Sequence, residues 1–101
     1  MIEMNAAEMR KKSKSNGYKL AISMQDKFIS QANTLIEGRA SQGYFNALVP
    51  VVKSSVWENY NLTKTVCNHY KDLGFKVEVT NFMISIKFII SWGEGDESYV
   101  D

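Results

Sequence analysis

The sequence is poor in the residues that carry redox and metal chemistry. It has one cysteine, Cys67, and one histidine, His69. A lone cysteine has no partner for an internal disulfide, so nothing here points to an oxidising compartment. These two residues also fall short of a metal-ligand cluster. On a helix, residues two apart point to different sides, so they make a poor nucleophile–base dyad. The default reading is a half-buried thiol and a surface imidazole. Glycine-rich phosphate cradles are missing too: neither G-x-x-x-x-G-K-[ST] nor G-x-G-x-x-G occurs. No pair of positioned titratable groups stands out, so neither an enzyme nor a cofactor or metal is expected.

Long apolar runs are also lacking. The longest, Phe82 to Trp92, is broken by Ser85, Lys87 and Ser91 and is too short to span a bilayer as a helix. The first twelve residues, MIEMNAAEMRKK, lack the apolar stretch of a secretory signal, so the expected location is cytoplasmic, with no membrane partner. That makes the sequon at Asn61-Leu62-Thr63 a chance match. Charge of one sign is scarce overall, with a net charge of +1. Such a balance disfavours a dedicated nucleic-acid binder. Its distribution is uneven. Arg10, Lys11, Lys12, Lys14 and Lys19 gather near the start, and Glu94, Asp96, Glu97 and Asp101 close the chain. A solvated helix end is the plain reading of the basic group.

What is present suits one small domain, residues 1–101. Apolar residues make up 45% and charged residues 23%, enough for a core. A chain of this size buries only about two-thirds of its unfolded surface, so its stability margin is small. Self-association is one way to supplement such a core.

Asn5 and Glu8 have the spacing of a capping box. They predict a short N-terminal helix from Ala6 to Ser15, with Gly17 ending a segment of helix and linker over residues 1–17. Ser23 and Asp26 suggest a second start. Met24, Phe28, Ala32, Leu35 and Ile36 then give an amphipathic stripe over 24–41, stopped by Gly43. Residues 44–51 alternate as a strand, and the only proline, Pro50, places it at an edge or near its end. Ser55 and Glu58 start a helix over 56–72, with Leu62, Val66, Tyr70 and Leu73 on one stripe and Gly74 as its stop. Phe75, Val77 and Val79 mark a second strand. A turn at Asn81 leads to a third, in which Ile84, Ile86, Phe88, Ile90 and Trp92 alternate with Met83, Ser85, Lys87, Ile89 and Ser91. Residues 93–101 form an acidic tail. The expected fold is α/β (α+β): a small three-stranded mixed sheet in the order first, third, second. Two long helices lie on one face, with the short N-terminal helix besides.

Helices on one face leave the other to be explained. Tyr44, Leu48, Met83 and Ile89 fall on that second face, opposite Phe45, Val49, Ile84 and Ile86. Either the short first helix covers them, or they form a contact surface.

Four segments, in their order and spacing, also resemble a group of small proteins encoded by tailed bacteriophages. They are Asn5-Ala6-Ala7-Glu8-Met9-Arg10-Lys11-Lys12-Ser13, Ala40-Ser41-Gln42-Gly43, Leu73-Gly74-Phe75-Lys76-Val77 and Ile89-Ile90-Ser91-Trp92. The resemblance extends over most of the chain but leaves out Val52 to Tyr60. It implies a viral protein made in the host bacterial cytoplasm, with an accessory role such as interference with a host protein or defence system. It carries no catalytic residues with it. The resulting expectation is a non-enzymatic accessory protein that acts by binding, assembled as a homo-oligomer. Alternatives are an oligomer that binds a small ligand such as a nucleotide signal between subunits, and a structural component of the virion.

Overall fold

The computed structural model describes residues 5–93. It is an α+β fold in which helices α1 (Ala6–Ser41), α2 (Ser55–Asn59) and α3 (Leu62–Asp72) accompany strands β1 (Asn46–Val52), β2 (Lys76–Asn81) and β3 (Ser85–Ser91). The expected tail at 94–101 lies outside the described residues.

Helix α1 is one unbroken element of 36 residues, about 54 Å long at 1.5 Å per residue. Its cap is the expected one, with the Glu8 N–H donating to Asn5 Oδ1 at 2.8 Å. The N-terminal helix is therefore present, but it runs on through Gly17 and the expected linker into the second helix. A glycine inside a helix costs only about 1 kcal/mol relative to alanine, which a continuous hydrogen-bond ladder tolerates. Gly17 also has a packing role: a Cβ there would lie 3.0 Å from the Tyr60 hydroxyl. Ser23 and Asp26 sit mid-helix and cap nothing. Gly43 ends the turn after α1 with φ +89°, as its position suggests.

The helix expected over 56–72 is interrupted. Asn61 adopts the left-handed conformation, φ 50°, and separates α2 from α3. Asparagine tolerates this region better than most residues. The start also shifts by one position: Ser54, not Ser55, accepts the capping bond, from the Trp57 N–H at 3.2 Å. The break lets Trp57 turn inward. It is buried, and its indole N–H donates to Thr63 Oγ1 at 2.9 Å.

The strand order is β1-β3-β2, as the sequence suggests, with the apolar strand in the middle. Both pairings are antiparallel, so the sheet is not mixed. Strands β1 and β2 point the same way, but β3 lies between them and they never pair. Ala47, Val49, Ile86, Phe88 and Ile90 face the helices and are buried. Phe28 of α1 meets Phe88 at 4.9 Å and Trp57 at 5.6 Å between ring centroids. Tyr70 of α3 donates its hydroxyl proton to Asn33 Oδ1 of α1 at 2.8 Å. All three helices thus contribute to one core on one side of the sheet.

Candidate functional site

Strands have a period of two, so burying one face fixes which residues make the other. With Val49, Ile86 and Phe88 turned to the helices, β1 presents Leu48, Pro50 and Val52 outward. Strand β3 presents Ser85, Lys87, Ile89 and Ser91. The register sets Leu48 beside Ile89, Pro50 beside Lys87 and Val52 beside Ser85. On the far side, Glu78 lies beside Ile89 and Thr80 beside Lys87. Among the described residues no helix covers this face. An N-terminal lid is ruled out for residues 6–41, because they form the single helix packed on the inner side.

The four residues singled out by the sequence are placed differently from one another. Leu48, 50% exposed, and half-buried Ile89 are cross-strand neighbours at the centre of the open face. Met83 is 96% exposed but lies beyond the start of β3, in the turn that joins it to β2. Tyr44 precedes β1. Its ring carries the Arg39 guanidinium at 3.7 Å, and Arg39 Nε also donates to the Asn46 carbonyl at 3.1 Å. Tyr44 therefore helps to clamp the end of α1 to the sheet.

The alternation placed Ile84 inward with Ile86. Instead β3 begins at Ser85, and Ile84 sits in the turn, 76% exposed. The turn is not at Asn81, which is the last residue of β2. Phe82 donates its N–H to the Ser85 carbonyl at 2.8 Å, leaving Met83 and Ile84 as a two-residue tip. Tight hairpin tips usually hold Asn, Asp or Gly. Here the tip is apolar, and Val52, 72% exposed, approaches it where Lys53 donates its N–H to the Ile84 carbonyl at 2.9 Å. An apolar strip therefore runs along Leu48, Pro50 and Val52 to the tip, with Ile89 beside it. Val52, Phe82 and Ile84 were missing from the sequence-derived set. The signal for Phe82 and Ile84 is Phe82-Met83-Ile84 itself, three apolar residues where turn chemistry is expected. Val52 follows from the parity of Leu48 and Pro50.

Two ionisable groups flank this strip. Lys87 adjoins it, its Nζ 5.8 Å from the Phe82 ring centroid, and Glu78 of β2 lies beside Ile89. The groups whose proton affinity is shifted lie in the core instead. Burial raises the pKa of the Cys67 thiol, partly offset by Lys71, and raises that of the Tyr70 phenol. A cleft of about 120 Å³ opens between α1, the end of β1 and α2, lined by Met24, Lys27, Phe28, Gln31, Val51 and Trp57. Ligand sites typically enclose about 300–1,000 Å³, so within one chain this cleft suits a side chain better than a nucleotide. Among the described residues no cluster of His, Cys, Asp or Glu is arranged to hold a metal, and no helix is long and apolar enough to cross a membrane. Compared with protein-family models, curated proteins and solved structures, the chain matches none of them.

Proposed function

We propose that the protein works by binding, through the open face of its sheet, and that it self-associates as a symmetric homo-oligomer. The observation that carries this reading is the uncovered Leu48–Ile89 pair, continuous with Pro50, Val52 and the apolar hairpin tip, while every helix packs on the opposite face. Keeping such a strip in water costs about 25 cal/mol per Å² of apolar surface. A second copy supplies the same strip, and a two-fold contact buries both at once.

The resemblance to small phage proteins supports placing this binding activity in an infected bacterium, with a host or defence protein as the further partner. The test of the face is Ile89→Lys. Light scattering should show a smaller assembly that has lost the face-to-face contact, while circular dichroism keeps the helical signal. A variant that associates like the wild type removes the open face from the account.

A further inference from the structure

A three-stranded sheet has two edges, and here they differ. Just beyond the two ends of β3, Trp92 donates its N–H to the Phe45 carbonyl, and the Ile84 carbonyl accepts from the Lys53 N–H. These bonds place the odd-numbered residues of β1 in the ladder, so the backbone groups of Asn46, Leu48, Pro50 and Val52 point away from it. Pro50 therefore lacks its N–H on the free side, and the Asn46 carbonyl is taken by Arg39. Both features protect the β1 edge against strand addition. On β2, the Phe82 to Ser85 bond sets the opposite parity: Lys76, Glu78 and Thr80 bond to β3, and Val77, Val79 and Asn81 turn their N–H and C=O groups outward. Among the described residues nothing bonds these groups, and no proline interrupts the strand.

We infer that the β2 edge joins two copies of this chain into one continuous antiparallel sheet, with Val77 of each copy on the two-fold axis. The sequence of the strand is complementary to itself in that register. Lys76 faces Glu78 of the second copy, and Glu78 faces its Lys76. On the inner side Val77 meets Val77, and Phe75 meets Val79. The Phe75 N–H already donates to the Tyr70 carbonyl, so Phe75 joins the ladder through its own carbonyl, which accepts from the Val79 N–H. The neighbouring symmetric register, centred on Glu78, would set two carboxylates opposite each other, which is unfavourable. An exact two-fold of this kind is closed, so it adds one copy and stops. Its axis is perpendicular to the sheet, and both open faces end on the same side. The edge contact is made by the β2 backbone, while the Lys76 and Glu78 side chains lie on the open face beside Ser91 and Ile89. It rests on the reading above only in that both involve self-association, and amide exchange at Val77 and Val79 reads the edge alone. With both contacts made, two such pairs stack face to face into a tetramer.

The test reads mass by light scattering and amide exchange at Val77 and Val79. Glu78→Lys sets lysines opposite lysines in both cross-strand pairs, and should weaken the edge contact about ten-fold or more. It should halve the mass and make the two amides exchange freely. Lys76→Glu combined with Glu78→Lys restores the complementary pairs and should restore both mass and protection. Ile89→Lys should leave a pair joined at the edge, with Val77 and Val79 still protected. Wild-type mass and protection in Glu78→Lys, or no recovery in the double variant, overturns the edge contact. Protection of these amides that does not change with protein concentration also overturns it. Loss of the edge alone leaves a face-joined dimer, so the two contacts fail separately.

Discussion

At the scale of single residues, the core rests on a few large side chains. Ile86 and Phe88 are buried at the centre of β3, and the alternation 84–92 identifies both. Ile86→Ala removes buried methyl groups and leaves a cavity, at a cost of about 2–5 kcal/mol. In a domain with a total stability of about 5–15 kcal/mol, that should lower the melting temperature by many degrees. An unchanged melting curve would contradict the burial of Ile86. The shifted groups predict a pH effect of definite sign. Cys67 and Tyr70 hold their protons more tightly in the folded chain than in the unfolded one. Their contribution is fully present below the unfolded values and is lost as pH rises through the folded ones. Chemical denaturation should therefore give constant stability across neutral pH and declining stability from about pH 9 upward. Ionised Tyr70 can no longer donate to Asn33 Oδ1.

At the scale of elements, the sequence is legible where one signal acts alone. Asn5 with Glu8, Gly43 and Gly74 sit at the helix ends they imply. The strand order also follows from the patterns, because the most apolar strand needs neighbours on both sides. Legibility fails where tertiary contacts override a local signal. Gly17 looks like a stop but is a contact for Tyr60, whose hydroxyl donates to the Lys14 carbonyl at 3.3 Å. Asn61 looks like mid-helix but adopts φ 50°, because Trp57 and Leu62 must both reach the core. Two of the four proposed interface residues, Leu48 and Ile89, are brought together by strand parity alone. Met83 and Tyr44 were assigned by extending that parity past the strand ends, where it no longer holds. Gly17→Ala tests the continuous helix. The Tyr60 ring is at the surface and can move aside, so the gain in helix propensity, up to about 1 kcal/mol, should prevail. A clear loss of stability would show that the Tyr60 contact matters more than the helix.

At the scale of the molecule, shape and charge are both uneven. The long axis measures 64 Å against 24 and 20 Å for the others, because α1 extends past the sheet. Arg10, Lys11, Lys12 and Lys14 lie on its exposed first turns, where Glu8 is the one acid among the described residues. A net charge of +1 leaves little long-range attraction for nucleic acid. Mobility shifts at moderate salt should show no tight, saturable complex with DNA or RNA. A complex abolished by neutralising Lys11, Lys12 and Lys14 would move the binding site from the sheet to the helix.

The central claim is that the open face is covered in the working assembly. A soluble paramagnetic agent reports methyl exposure directly, and Leu48 and Ile89 both carry methyl groups on that face. At tens of micromolar wild-type protein, their methyl signals should be shielded, and dilution or Ile89→Lys should expose the Leu48 methyls. Full exposure of Leu48 and Ile89 at every concentration, in a protein whose mass is that of one chain, would contradict the account.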